Sequence, residues 1–293
     1  SYWDKSYNKS EELIVDPTLV FATLTGSSSD NWGFTATYDT AGNFYAGGIV
    51  LGSYFGNGDL GSSASYPVTG GSYQSTFGGF VDVAISKFSA NGTSLIYSTY
   101  LGGDQTEEPH SLICDKNNNL IIMGATSSTN FPTTSGAYQS SFAGGNYLYL
   151  LDGINWNNGS DIFITKLNAS GNSLIGSTFL GGSSNDGLSL SSSLNFNYAD
   201  HARGEVFLDQ SDNIYIASSS SSNNFPTTSG SHQQTYSGNY DGVVSKLSSD
   251  LTSLLWSTFV GGSLNDAAYS IRVDTVNNHT VICGGTTSSN IGA

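Results

Sequence analysis

The sequence predicts an all-β fold made of repeated, four-stranded antiparallel units. Three observations predict it. Several sequence blocks recur about every 80 residues, short apolar runs alternate with turn-forming residues, and no long stretch shows helical periodicity. The repeat is the strongest of the three, because self-similarity at a fixed spacing marks architectures built from one recurring supersecondary unit.

The clearest block is a strand that ends in two glycines. Residues 98–103 read Ser-Thr-Tyr-Leu-Gly-Gly, and near-copies follow at residues 177–182 and 257–262, which are steps of 79 and 80 residues. Residues 20–26 form a looser first copy. The near-constant step predicts consecutive structural units of one design.

A second block is a strand that begins with Asp and carries Lys five residues later. Its copies begin with Asp82, Asp161 and Asp241 and contain Lys87, Lys166 and Lys246. A buried lysine must be paired, and the aspartates repeat with the same step. We therefore interpret these residues as structural and expect an ion pair between neighbouring blades.

Two further blocks supply the connections. Residues 39–43, 115–119, 209–213 and 274–278 each begin with Asp, end with Asn and precede an apolar strand. Asp and Asn suit such turns because their side chains bond to the local backbone. Residues 126–136 nearly recur at 220–230 and contain Phe-Pro, and proline excludes a central strand there.

One unit therefore holds four short strands, which in the second copy are residues 83–88, 95–101, 111–114 and 120–124. Four antiparallel strands in each repeated unit form the blade of a β-propeller. We assign residues 1–19 to an N-terminal lead-in segment and residues 20–293 to propeller repeats, with units at about 20–81, 82–160, 161–240 and 241–293. The first unit lacks the Asp-to-Lys strand and the last stops before its Phe-Pro. We therefore expect about four blades here, as part of a larger ring.

Composition excludes some classes of partner. The net charge is −15 and only eight residues are Lys or Arg, without a basic patch. Nucleic-acid binding relies on clustered positive charge, so we expect no nucleic-acid partner. No apolar run approaches the ~18 residues that a membrane helix needs, so we expect no membrane insertion.

The repeated blocks resemble the bacterial seven-bladed β-propeller repeat, with its Lys-Leu, Ser-Thr-Tyr-Leu-Gly-Gly, Asp-x-x-Gly-Asn and Phe-Pro-Thr elements, over about residues 20–290. Residues 16–21 and 30–39 further resemble large secreted surface proteins of gliding and related Bacteroidota. This resemblance implies type IX secretion, a location outside the cell or on the bacterial outer surface, and a role in adhesion or gliding motility. Its implied partners are surface glycans or proteins, or components of the secretion system and cell surface.

Insertions are where repeat proteins tend to carry function. Comparison of the copies finds about 11 extra residues around 51–65, 14 within 139–161 and 15 within 182–209. The second insertion contains Tyr147, Tyr149 and Trp156, whose rings can stack on sugars or dock a protein. The alternative is that these aromatics cover a blade edge or pack on the next blade.

The third insertion holds Tyr198, Asp200 and His201, with Arg203 close by, and these are further ligand-binding candidates. Residues 107–110, with two glutamates and a histidine, occupy the equivalent loop of the preceding unit. Paired carboxylates can perform acid–base chemistry where an apolar pocket shifts one pKa. However, the sequence has no recognised nucleophile, zinc or phosphate-binding motif, and we expect no catalytic residues.

The second insertion also offers oxygen ligands in Asp152, Asn157 and Asn158. Hard cations such as Ca²⁺ take six to eight such oxygens, so Ca²⁺ is the one cofactor to consider. The alternative is a solvated Asn-Gly turn, since the order of residues does not follow an EF-hand.

These observations favour a non-enzymatic extracellular propeller module for adhesion or for protein or glycan binding, within a larger secreted protein. Two alternatives stay open: a glycan-active hydrolase or lyase on a propeller scaffold, and a purely structural spacer. A convergent set of charged residues at one mouth of the ring would favour the enzyme.

Overall fold

The computed structural model describes residues 19–52, 65–150, 153–196, 200–274, 277 and 279–291. These residues form three four-stranded antiparallel sheets in succession, followed by a two-stranded sheet. The helical content of the described residues is a single 3-10 turn, Asp200–Ala202. The prediction of an all-β fold with four-stranded antiparallel units is therefore confirmed.

Each sheet takes its strands from one continuous stretch of chain. The first contains β1 (Asn31–Tyr38), β2 (Phe44–Leu51), β3 (Val81–Phe88) and β4 (Leu95–Leu101). The second contains β5 (Glu107–Cys114), β6 (Leu120–Thr126), β9 (Asp161–Leu167) and β10 (Leu174–Leu180), with the small hairpin β7 (Leu148–Tyr149) and β8 (Asn155–Trp156) inserted between β6 and β9. The third contains β11 (Glu205–Leu208), β12 (Ile214–Ser220), β13 (Asp241–Leu247) and β14 (Leu254–Val260). The last two strands are β15 (Asp266–Asp274) and β16 (His279–Thr286).

The sheets are out of phase with the sequence units. β3 and β4 complete the first sheet, whereas β5 and β6 begin the second, so the four strands of one sequence unit divide between two sheets. The first sheet consequently has all four strands, including the Lys-bearing β3. A periodic sequence can be cut at any phase, and only the pairing of strands, such as Phe44 with Phe88, decides where a sheet begins.

Apolar side chains between successive sheets form the core. One cluster joins the first and second sheets through residues such as Ile85 and Phe163, and another joins the second and third through Ile164 and Ile216. Every residue of β6 and β9 is buried, as expected for strands covered on both faces. The first strands of successive sheets also contact one another, β1 with β5, β5 with β11 and β11 with β15. The described sheets do not close into a ring.

The sheets have two different ends. At the turn end, β1 leads into β2 and β3 into β4 through short connections such as residues 39–43 and 89–94. Asp39 Oδ1 accepts hydrogen bonds from the backbone N–H groups of Ala41 and Asn43, at 3.0 and 2.9 Å. The residue before the final Asn has positive φ in the first three copies of this turn, as Gly42, Asn118 and Asp212. These residue types tolerate the left-handed conformation, which explains the composition of the block.

Each repeated lysine forms an ion pair, but the expected pairing between blades is wrong. Lys87, Lys166 and Lys246 pair with Asp39, Asp115 and Asp209 at 3.0, 2.9 and 3.0 Å. The partner is the first residue of the turn block, and both members belong to one sheet. The physical reason is strand order: the lysine strand lies beside the strand that follows this turn, so the two charges meet at the turn end.

The repeated strand-start aspartates lie far from these lysines. Five residues along a strand span about 17 Å, so Asp82, Asp161 and Asp241 lie at the opposite end of their strands. Burial raises the pKa of Asp39, but hydrogen bonds from Asn43 and Lys87 outweigh burial and hold that pKa at about 2. The pKa values of Asp115 and Asp209 are likewise lowered, so the carboxylates of these turns stay ionised across the physiological range.

Candidate binding site

The long connections of the described sheets lie at the end opposite the short turns, which we call the insertion end. There β2 leads into β3, β6 into β9 and β10 into β11, through residues 52–80, 127–160 and 181–204. All three insertions found in the sequence fall in these connections. Most of the first insertion, residues 53–64, lies outside the described residues. The site is therefore built from the second and third insertions.

The second insertion folds into the β7–β8 hairpin, which Trp156 anchors. Leu148 pairs with Trp156 and Tyr149 with Asn155 across the hairpin. Trp156 is fully buried, in an apolar cluster with Ile154 and with Leu188 of the third insertion. The expectation that Trp156 binds ligand is therefore wrong, because its ring fills the core between the two insertions.

Tyr147 and Tyr149 are exposed, by contrast, at 58% and 62%. They flank the half-buried Leu148, the first residue of β7. The hydroxyl group of Tyr147 donates a hydrogen bond to Oδ1 of Asn155 at 2.7 Å, which restrains the ring. Phe196 of the third insertion is a further exposed aromatic side chain, at 80%.

The asparagines proposed as metal ligands are used in local hydrogen bonds. The side-chain amide of Asn157 donates to Oε1 of Gln105 at 2.7 Å, and that of Asn158 to the carbonyl group of Ser127 at 2.9 Å. The first bond ties the hairpin to the connection between β4 and β5, and the second ties it to the start of its own connection. Asp152 and Tyr198 lie outside the described residues. Among the residues that are described, no group of three or more His, Cys, Asp or Glu side chains is arranged to hold a metal ion.

Asp200 links two parts of the third insertion by hydrogen bonds. Its Oδ2 atom accepts a hydrogen bond from the backbone N–H of Phe196 at 2.8 Å, and its Oδ1 atom accepts one from Arg203. The guanidinium group of Arg203 lies over the ring of Tyr269 on β15, 5.4 Å from the centroid. Asp200 is only 4% exposed, whereas the Arg203 side chain is 45% exposed. Arg203 is thus the accessible member of this group.

His201 contacts Glu108, which the sequence placed in the equivalent loop of the preceding unit but which lies on β5, because that strand begins at Glu107. Its Nε2 atom lies 3.3 Å from Oε2 of Glu108, and both side chains are buried. Burial, together with the nearby charge of His201, lowers the pKa of His110 to about 3, so His110 is neutral at physiological pH. The third insertion and the start of β5 therefore meet in space, although burial keeps these groups from solvent.

Sequence reasoning missed Asn155 and Tyr269, which position Tyr147 and Arg203. No signal marked Asn155, because the β7–β8 hairpin has no copy in the other units. No protein-family model matches this chain, and no curated protein matches it either. The described part of the chain contains no helix with the length and apolarity to cross a membrane.

Proposed function

We propose that the chain is an extracellular β-propeller module that binds a protein or a glycan through its insertion end, as part of a larger secreted surface protein. The observation that carries this proposal is the concentration of long connections at one end of the sheets, with Tyr147 and Tyr149 exposed there. Binding residues concentrate on such loops, held in place by a rigid scaffold.

Two features support the propeller arrangement. Three four-stranded antiparallel sheets follow one another along the chain, and the first strand of each contacts the first strand of the next. Sheets that share a line of first strands radiate from it like blades, and their opposite faces pack on the neighbouring sheets. The resemblance of the repeat blocks supports the same arrangement, and the resemblance of residues 16–21 and 30–39 supports secretion by the type IX route and adhesion or gliding in Bacteroidota.

The tyrosine pair favours a ligand with flat apolar faces. Tyrosine offers an apolar ring with a polar tip, which suits a sugar ring or the rim of a protein surface. The net charge of −15 disfavours an anionic partner. A neutral glycan, or a neutral or basic protein, therefore fits the insertion end best. Arg203, beside the third insertion, supplies a hydrogen-bond donor.

We predict that Tyr147→Ala combined with Tyr149→Ala weakens ligand binding by about tenfold or more, because aromatic side chains dominate binding energy at such surfaces. A glycan array and a panel of surface proteins identify the ligand, and titration calorimetry measures its affinity. Tyr38→Ala is the matched control, since Tyr38 is 75% exposed but lies at the turn end of β1. Equal losses in the double variant and in the Tyr38 variant would contradict a site at the insertion end.

The Glu108–His201 pair favours one second candidate, a glycan-active hydrolase or lyase. A buried carboxyl beside an imidazole is a common acid–base arrangement, and His110 adds a neutral imidazole nearby. A hydrolase and lyase panel tests it. Turnover that His201→Asn abolishes while the fold is retained would replace the binding proposal. A purely structural spacer would leave both the binding screen and this panel blank.

A further inference from the structure

A pair of carboxyl groups is buried at each junction between consecutive sheets. The pairs are Asp82 with Glu107, Asp161 with Asp186, and Asp241 with Asp266. In every pair the second residue follows the first by 25 positions. The first member begins the lysine-bearing strand of one sheet, and the second lies at the entry to the next sheet. All six residues are at most 1% exposed.

Glycines in the repeat allow the two carboxyl groups to approach. A β-carbon on Gly102 would lie 2.5 Å from Oε2 of Glu107 and 2.6 Å from Oδ1 of Asp82. A β-carbon on Gly181 would likewise lie 2.5 Å from Oδ1 of Asp161 and 2.9 Å from Oδ2 of Asp186. In each case two carboxyl oxygens border the same carbon-sized space, and any other residue type would clash there.

One oxygen of each strand-start aspartate lacks a partner. Oδ2 of Asp82 accepts a hydrogen bond from the backbone N–H of Gly78 at 2.8 Å, and Oδ2 of Asp161 accepts one from Ala143 at 2.6 Å. The Oδ1 atoms of Asp82, Asp161 and Asp241 are buried and have no hydrogen-bond partner among the described residues. A buried acceptor without a hydrogen bond destabilises the folded state, and the same oxygen lacks one in all three copies. A proton on one carboxyl of each pair would satisfy it.

No positive charge offsets these pairs. Among the described residues, no Lys, Arg or His lies within ion-pair distance of any of the six carboxyl groups. The other titratable groups that face them are tyrosines: Tyr100 near Asp82, and Tyr236 near Asp186 and Asp241. Two like charges this close in a dry junction cannot both persist, so one group keeps its proton. Two carboxylates alone also fall short of the oxygen set that Ca²⁺ requires.

We propose that Asp82 with Glu107, and Asp161 with Asp186, each share one proton near neutral pH, so that carboxylic acid–carboxylate hydrogen bonds link the sheets and alkaline ionisation weakens these two junctions. In each pair the protonated carboxyl donates its O–H to the other carboxylate, and ionisation releases that proton to water. This pH response is separate from ligand binding at the insertion end.

The direction of the pH dependence follows from the raised pKa values of these carboxyl groups. Burial raises the pKa of Asp82 to about 7 and that of Asp161 to about 8, and it raises the pKa of Glu107 to about 8 with a further contribution from the charge of Asp82. At a pH between these raised pKa values and the ordinary carboxyl pKa near 4, the folded state binds more protons than the unfolded state. Stability from these groups is therefore present below about pH 4 and is lost as the pH rises through about 7 to 8.

Asp161→Asn tests the proposal, because an amide supplies the missing donor without a charge. We expect the urea concentration at the unfolding midpoint of the unmodified chain to fall when the pH is raised from about 5 to about 9. We expect this fall to be smaller in the variant. The double variant Asp82→Asn, Asp161→Asn should show the smallest fall. Asp104→Asn is the control, since Asp104 is exposed and should leave the fall unchanged.

A second readout uses infrared spectroscopy, which detects protonated carboxyl groups directly. The unmodified chain should keep a protonated-carboxyl band near neutral pH that disappears at alkaline pH. This measurement needs no variant, so it decides the question even if the substitutions prevent folding. A midpoint independent of pH, or the absence of this band near neutral pH, would overturn the proposal. So would stabilisation by calcium chloride that EDTA reverses and the double variant lacks, because the pairs would then hold a cation.

Discussion

Replacing Trp156 by Ala will lower the free energy of unfolding by about 3–5 kcal/mol, the usual cost of deleting a fully buried large aromatic side chain. Trp156 is fully buried and packs with Leu188, so its ring joins the second insertion to the third. Truncation leaves a cavity beneath the β7–β8 hairpin, which is too small to be stable alone. Urea denaturation monitored by circular dichroism measures the loss.

Two matched variants make this prediction specific. Tyr149→Ala changes an exposed ring of the same hairpin and should alter stability by no more than about 0.5 kcal/mol. Trp156→Phe keeps most of the apolar volume and should cost clearly less than Trp156→Ala. If Trp156→Ala were no more damaging than Tyr149→Ala, the ring would not be the anchor of the insertion end.

The repeat predicted the strands because strand positions follow local chemistry. The lysine strand, the glycine-ended strand and the Asp-to-Asn turn each carry residue types that suit their backbone. The partner of Lys166 was not predictable in the same way. Asp115 and Asp161 each belong to a block that recurs once in every unit, so recurrence does not distinguish them, and only the order of strands in the sheet does.

The candidate site was less predictable than the fold, since it lies in segments that occur once. Alignment of the copies located the insertions, but Tyr147 and Trp156 look alike as aromatic residues of one insertion. Their opposite exposure depends on how the hairpin packs against the third insertion. Likewise, Glu108 and His201 are 93 residues apart, and their contact requires that insertion to fold back over β5.

The two ends of the sheets hold charge in opposite ways. At the turn end the first aspartate of the turn block faces the repeated lysine of its own sheet and stays ionised, as with Asp39 and Lys87. At the insertion end the strand-start aspartate faces a carboxyl from the next sheet, as with Asp82 and Glu107. The first arrangement fixes strands within a sheet, whereas the second joins sheets to each other. Alkaline pH should therefore loosen the junctions before it affects the sheets.

Lys166→Met is expected to lower the free energy of unfolding by about 3–5 kcal/mol, because it leaves a buried carboxylate without its partner. Nζ of Lys166 lies 2.9 Å from Oδ2 of Asp115, and these side chains are 9% and 0% exposed. Adding Asp115→Asn to Lys166→Met removes the stranded charge and should recover part of the loss. Urea denaturation of the four members of this double-mutant cycle measures the coupling.

The chain provides a graded set of controls for this ion pair. Lys116 pairs with Asp212 at 3.0 Å, but its side chain is 64% exposed, so Lys116→Met should cost no more than about 1 kcal/mol. Lys246 is intermediate, at 24% exposed, and Lys246→Met should cost less than Lys166→Met because water screens its pair with Asp209. A structural role for the repeated lysine thus predicts that the loss follows burial. Equal losses for Lys166→Met and Lys116→Met would contradict that role.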